Sequence, residues 1–348
     1  MSCNYPMIRA ETYEQYKTLD GKWAYKAEWI SREEYDQFGQ DYLKHKYRKI
    51  TPVACGQCIG CKLDYSRDKA TQMMIEKTYC FNSGTEEEPI WGAYPDGTCW
   101  FLTETYADEY LKTHQTVDSE TGEVFEGISL CLEDTQKYMK RLRKAYPKMK
   151  IKYVMAGEYG SKTMRPHYHH IIFGLPLDQT KFKKVGMNGL NQPTWVSEEL
   201  NKIWGMGHVE IGRVDWRSCA YVARYTLKKA LGKDQTWYQA QGMIPEFICW
   251  SNGVGKKYYE SNKNEIFETD TVIVPNHMNN SLKPPRSYDV LLKNSDTKLY
   301  EQIKRQRTKK ANYNEYGLRQ QTDLTPEERR KTNESRLRDT MKDIRVEV

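Results

Sequence analysis

Residues 166–174 read Pro166-His167-Tyr168-His169-His170-Ile171-Ile172-Phe173-Gly174. β-branched and aromatic side chains fill the run and a glycine closes it, which predicts a strand over His167–Phe173. Alternate side chains of a strand share one face. His167 and His169 therefore project together, while Tyr168 and His170 point the other way. Two imidazoles at that spacing can bind one ion, with a third ligand from a neighbouring strand. Ile151–Glu158 also reads as a strand, and the Gly160-Ser161-Lys162-Thr163-Met164-Arg165-Pro166 connection is a hairpin by its length. Glu158, nine residues before His167, is thereby returned to the pair. One carboxylate and two neutral imidazoles leave coordination positions open for water or phosphate oxygens. The expected ion is divalent, magnesium or manganese, although imidazole alone favours transition metals over magnesium. His170 is assigned to packing or to nucleic-acid contact, and His208, at the start of another strand, is set aside as a ligand.

The neighbouring segments extend the pattern. Cys99–Glu104 reads as a strand and Glu133–Ala145 as an amphipathic helix stopped by Pro147, with Tyr138, Met139, Leu142 and Tyr146 on its apolar face. Glu198–Trp204 reads as a short helix, His208–Val214 as a strand and Trp216–Ala230 as a helix. The order β-α-β-β-α-β-α describes an α+β fold, an antiparallel sheet with helices packed on one face. Before it stand a polar, tyrosine-rich and cysteine-bearing segment, with a capped start at Ser31-Arg32-Glu33-Glu34, and a helix over Asp64–Tyr79. Near the end, Thr325-Pro326-Glu327-Glu328 starts a charged, apolar-poor helix running to about Asp343. This divides the chain into an N-terminal cysteine-rich segment (1–95), a core (96–235), an extension of the core (236–300) and a helical tail (301–348).

The helix after the last strand carries Tyr221-Val222-Ala223-Arg224-Tyr225-Thr226-Leu227-Lys228. Tyr221 and Tyr225 are four apart and so neighbour each other on the helix surface. Arg224 and Lys228 lie three beyond each phenol. A phenol with its usual pKa near ~10 is a weak nucleophile at neutral pH. A metal-bound phosphate and nearby cations would favour its phenolate. Attack on a DNA phosphate would form a phosphotyrosine ester and free a 3′-hydroxyl. The ester keeps the energy of the broken bond, so a later hydroxyl can reverse the step.

Tyrosine is overrepresented, at 26 residues against 8 phenylalanines, which suits wet interfaces and base stacking. The formal charge of +7 favours polyanionic partners. No apolar run has the length of a membrane span, and the first residues lack the order of a signal peptide. Nine cysteines without a secretion signal suggest a reducing cytoplasm, not a disulfide framework. Cys55, Cys58 and Cys61 form a Cys-x-x-Cys-x-x-Cys run with the spacing of a structural zinc site. Such a site wants four thiolates; Cys3 is the most economical fourth and Cys80 the alternative. An iron–sulfur cluster and unliganded thiols are the competing readings.

Taken together, the histidine strand and the Tyr221–Lys228 helix resemble the His-hydrophobic-His replication initiators, in particular those of small single-stranded DNA phages of the microvirus family, gokushovirus branch. Phe101-Leu102-Thr103-Glu104-Thr105-Tyr106 is similar to that family's first motif. Ala156-Gly157-Glu158-Tyr159-Gly160 is similar to its run before the histidines, and residues 55–67 to its amino-terminal signature. The resemblance covers roughly residues 50–260. It implies a rolling-circle endonuclease and strand-joining enzyme acting on single-stranded and phage-origin DNA in the bacterial host cytoplasm. By the family's Tyr-x-x-Lys pattern Tyr225 cuts first, Tyr221 second, and Lys228 assists. His170 stands where a small apolar residue is expected.

Candidate phosphate contacts are the basic helix face Lys137, Lys140, Arg141 and Lys144, and the cluster Lys304, Arg305, Arg307, Lys309 and Lys310. Lys256 and Lys257 beside Tyr258 and Tyr259 combine charge with stacking surface. Gly253-Val254-Gly255-Lys256-Lys257 lacks the spacing of a phosphate-binding loop, so strand separation is expected from a host helicase. The competing readings are a zinc-stabilised nucleic-acid-binding protein that cuts nothing and a single-strand transposase or relaxase.

Overall fold

A computed structural model describes residues 3, 7–19, 21–31, 34–35, 37, 43, 45–160, 162–188, 191–228, 233–275, 281–307 and 326–343. The chain forms two compact units, Met1–Asp64 with Arg307–Arg345, and Tyr65–Gln306.

In the first unit, β1 (Met7–Lys17) lies between β2 (Trp23–Ile30) and β3 (Lys49–Val53), antiparallel to both. Its core is small: Ile8, Ala10, Ile30, Leu43 and Tyr47 are buried together. Ser31 caps as its sequence predicts, its Oγ accepting from Glu34 N at 3.0 Å. Helix α1 (Ile59–Tyr79) begins within the cysteine run, five residues earlier than the apolar spacing alone suggests.

The second unit continues through two short strands, β4 (Phe81–Asn82) and β5 (Trp91–Gly92), into β6 (Cys99–Tyr106). A hairpin of β7 (Lys112–Val117) and β8 (Val124–Ser129) precedes α2 (Leu132–Ala145). Then come β9 (Lys152–Tyr159), β10 (Pro166–Phe173), β11 (Lys183–Met187), β12 (Pro193–Val196), α3 (Glu198–Trp204), β13 (Gly207–Arg213), α4 (Trp216–Lys228) and α5 (Lys233–Ala240). The unit ends with β14 (Phe247–Trp250), α6 (Lys256–Thr269), two two-residue strands, α7 (Arg286–Ser295) and a helical stretch over 297–307. Later in the chain a helix spans Pro326–Asp343, as its composition predicts; its capping residue Thr325 lies outside the described residues.

The centre of the second unit is a seven-stranded antiparallel sheet in the order β11-β12-β13-β6-β10-β9-β14. The fold is thus the expected α+β arrangement of antiparallel strands with packed helices. One face, carrying Leu102, Met155, Tyr168, Ile172 and Val209, buries Tyr138, Met139 and Leu142 of α2 and Leu200 and Trp204 of α3. The opposite face is covered as well. Phe101, Val154, Ala156, Ile171 and Phe173 pack with residues of α1, α4, α6 and α7. Both faces of β10 are therefore apolar over Ile171–Phe173, as its unbroken hydrophobic run requires. That second layer explains Tyr258 and Tyr259: both are buried in it and offer no stacking surface to a nucleotide.

Candidate metal and nucleophile site

The site lies where β9, β10 and β6 run side by side. Hairpin register pairs His167 with Glu158 and His169 with Ala156. Directly paired residues share a face, so the hairpin brings Glu158, His167 and His169 together. One ligand atom from each of the three lies within 4.8 Å of the others. Glu158 Oε2 is 3.4 Å from His167 Nε2 and 3.3 Å from His169 Nε2.

The outer nitrogens are held elsewhere. His167 Nδ1 donates to the carbonyl oxygen of Arg165 at 3.2 Å, which leaves the Nε2 lone pair turned toward the carboxylate. His169 Nδ1 shares a 3.1 Å hydrogen bond with Thr103 Oγ1 on β6. Phe101 stacks on the His169 ring, centroids 5.4 Å apart and planes 9° from parallel. Burial lowers the pKa of His169 to about 4, so the imidazole is neutral across the physiological range. A neutral imidazole is the form that ligates metal. Imidazole lone pairs and a carboxylate directed at one point repel unless a cation lies between them, so the donor set fits a divalent ion. Outer hydrogen bonds that fix the tautomer are the usual support of such ligands.

The helix α4 packs over this face, with Cys219, Val222 and Ala223 buried against the sheet. Tyr221, on its next stripe, reaches the site: its hydroxyl donates to Glu158 Oε2 at 3.4 Å, longer than an ordinary O–H···O bond. Its ring meets His169 edge-on at 5.1 Å between centroids, and the Arg224 guanidinium lies 5.6 Å from the same ring. Tyr225 and Lys228 are on the same helix, but their side chains lie outside the described residues.

Strand alternation sends His170 to the other face. It is fully buried there, its Nδ1 2.8 Å from Glu104 Oε2, among the rings of Tyr138 and Tyr153. Packing, not nucleic-acid contact, is its place. His208 is exposed on the metal side of the sheet, separated from His167 by Thr105 of the intervening strand β6. The basic face of α2 belongs to the layer behind the sheet and is not brought to the triad. Within it, Arg141 is occupied in binding the carbonyls of Ile203 and Trp204, both at 2.6 Å. Lys256 and Lys257 both pair with Glu260. Lys304 and Arg305 lie on the helical stretch 297–307; Lys309 and Lys310 lie outside the described residues.

Two supports of the site carry no motif of their own in the sequence. Thr103 and Phe101 belong to β6, and only the register of β6 against β10, which pairs His169 with Thr103, reveals what they touch. Their alternation along β6 is the signal that could have found them. In the other unit, Cys3, Cys55, Cys58 and Cys61 also converge, whereas Cys80, the alternative fourth ligand, is buried in the core layer with α1 and α6.

Residues 99–230, the stretch that holds every element of this site, match the profile of a family described as replication-associated protein ORF2. The core of this chain belongs to that family. Among individual relatives, the chain is similar to the replication-associated protein ORF2 of Spiroplasma virus 4, 34% identical over 226 residues, which are 64% of this chain and 61% of that protein. It is similar to replication-associated protein VP4 of Bdellovibrio phage phiMH2K at 29% over 231 residues, 64% of this chain and 62% of that protein. To replication-associated protein ORF4 of Chlamydia phage 1 it is 24% identical over 234 residues, 66% of this chain and 52% of that protein. The chain thus spans about three fifths or less of the length of these relatives. No solved structure gives a significant match. Among the described residues, no helix is long and apolar enough to cross a membrane.

Proposed function

We propose that the protein initiates replication of a single-stranded DNA phage genome by nicking its origin and later rejoining the strand. The observation that carries this reading is the Tyr221 hydroxyl beside a Glu158–His167–His169 donor triad, within a core of the replication-associated family. Glu158, His167 and His169 would hold a divalent ion, magnesium or manganese. When bound, the ion supplies Lewis-acid polarisation of a DNA phosphate.

The residues of the chain do the remainder. A tyrosine oxygen attacks the scissile phosphorus and forms the P–O bond of a 5′-phosphotyrosine. The bond to O3′ breaks, and the departing oxygen takes a proton from solvent. Tyr221 already directs its O–H to Glu158, which gives the phenol proton an acceptor at the moment of attack. Tyr225, one turn along α4, is the nucleophile that the family pattern makes first; Tyr221 is the second. Two phenols on one helix let one ester be exchanged for another without release of the DNA. Arg224 and Lys228 offset charge on the phosphate. The described part of the sheet beside the triad is open, with Glu210 and His208 exposed, leaving room for a single strand to approach. Strand separation falls to a host helicase, and the work is done in the host cytoplasm.

The test is incubation of the full chain with origin-bearing single-stranded DNA and manganese. A protein–DNA adduct that survives denaturation, cleaved 3′-hydroxyl ends and loss of both on chelation are expected. Retention of DNA without any adduct would replace this reading with a binding protein that cuts nothing.

A further inference from the structure

The small unit has a feature that the nicking reading does not use. Four cysteine sulfurs converge from opposite ends of its sheet. Cys3 precedes β1, Cys55 and Cys58 follow β3, and Cys61 lies in the first turn of α1. Cys3 Sγ is 3.5 Å from Cys55 Sγ and 3.8 Å from Cys58 Sγ, and Cys55 Sγ is 4.0 Å from Cys61 Sγ. All four sulfurs lie within 4.8 Å of one another.

These edges discriminate among the chemistries four thiols allow. Disulfide sulfurs sit at about 2.0 Å, and all four cysteines are unbridged. A tetrahedral ion with metal–sulfur bonds of about 2.3 Å has sulfur–sulfur edges of about 3.8 Å, which matches the observed set. A multi-iron cluster has to fit several metal and sulfide atoms inside its thiolates and would spread them further. The backbone is arranged for thiolates as well. Cys55 N–H donates to Cys3 Sγ and Cys58 N–H to Cys55 Sγ, each at 3.3 Å. Gly56 holds φ +75° with nothing within 4 Å of where a Cβ would stand. That left-handed step folds the Cys55–Cys58 turn back on itself and is open to glycine without strain.

We propose that Cys3, Cys55, Cys58 and Cys61 bind one zinc ion as a closed, structural site. Four thiolates complete the coordination, so no position is open for substrate. The ion would close the chain between Cys3 and Cys55, and all three strands of the small sheet lie inside that loop. Its five-residue buried core is of the size that needs a staple. The proposal does not depend on nuclease activity.

Native mass spectrometry and elemental analysis of the full chain, purified without added metal, test it. One zinc per chain is expected, retained through dialysis against a carboxylate chelator that strips the proposed catalytic ion, and released by a mercurial reagent that titrates thiols. The Cys55→Ser/Cys58→Ser double variant should lose the zinc, and Cys80→Ser should keep it. Should the double variant fail to fold, the wild-type chain still decides: exchange into cobalt(II) should give thiolate-to-cobalt charge-transfer absorption and the visible bands of a tetrahedral ion. A metal-free protein with four freely titrating thiols, iron in place of zinc, or zinc that follows Cys80 would each overturn the proposal. Loss of nicking with zinc retained would count against the nuclease reading alone.

Discussion

The Tyr221 hydroxyl and Glu158 Oε2 meet at 3.4 Å across 63 positions of chain. Glu158 comes from the strand β9 and Tyr221 from a helix laid over the sheet, so the contact exists only when both elements are docked. It couples the donor triad to a phenol before any substrate arrives. If both phenols of α4 are nucleophiles, Tyr221→Phe and Tyr225→Phe should each still cut once, because one phenol remains. Strand transfer, which needs two successive attacks, should fall below detection in either. The double variant should give no adduct. Peptide mapping of the adduct formed by each variant checks the assignment, and an adduct surviving the double substitution would remove α4 from the chemistry.

Thr103 should matter to metal binding without touching the metal. Its hydroxyl is the 3.1 Å partner of His169 Nδ1. Thr103→Val keeps the shape and removes that bond. Losses of outer-shell partners cost about 10–100-fold in metal affinity, and this is the expected range in a manganese titration. Serine at the same position should restore much of it. An unchanged affinity in Thr103→Val would mean that packing by Phe101 alone orients the ring.

Much of this site was legible in the sequence, because it depends on local rules. Alternation placed His167 and His169 on one face, and hairpin length returned Glu158 to them. The helical spacing at Tyr221 located the phenol. What was not legible depends on long-range partners. The apolar residues Ala70, Met73 and Met74 announce a helix, but nothing local says that it covers the metal-bearing side of the sheet. The β7–β8 hairpin alternates polar with β-branched residues on a largely exposed ribbon, so no buried stripe marks it, although Asp118 and Gly122 form a turn that could have. Tyr258 and Tyr259 were read as stacking surface because a phenol suits either environment; burial decided between them.

His169 gives the metal-free protein a pH dependence of definite sign. Burial holds its pKa at about 4 in the folded chain against an ordinary value of 6.5. As pH falls, the unfolded chain takes up the proton first, which drains stability from the folded state. The contribution of this residue is whole above about pH 6.5 and is lost progressively down to about pH 4, on the order of 3 kcal/mol across the window. Urea unfolding of the chelated protein at stepped pH should show that decline. In His169→Asn the same window should be flatter. A decline of equal size in the variant would assign the effect to other groups.

Behind the metal-bearing face, Glu104 and His170 form a fully buried pair at 2.8 Å. Glu104 Oε1, His170 Nε2 and the nearby Tyr138 hydroxyl have no hydrogen-bond partner among the described residues. A buried pair with unsatisfied atoms is poorly repaid for its desolvation, and breaking one half leaves the other stranded. Glu104→Leu alone should therefore destabilise by about 3–5 kcal/mol. The Glu104→Leu/His170→Leu double variant should recover most of that loss, since the surrounding layer of Tyr138, Trp204 and Val209 is apolar. A double-mutant cycle from urea melts measures the coupling. Additive losses would mean that the two side chains act separately, His170 by packing against Tyr138 and Tyr153 and Glu104 by some other contact. Strong coupling would instead make the pair one unit, and because it locks β6 to β10 one residue away from His169, the double variant should also show whether register at the metal strand survives without it. Manganese affinity equal to wild type in that variant would show that the backbone ladder alone keeps His167, His169 and Glu158 convergent.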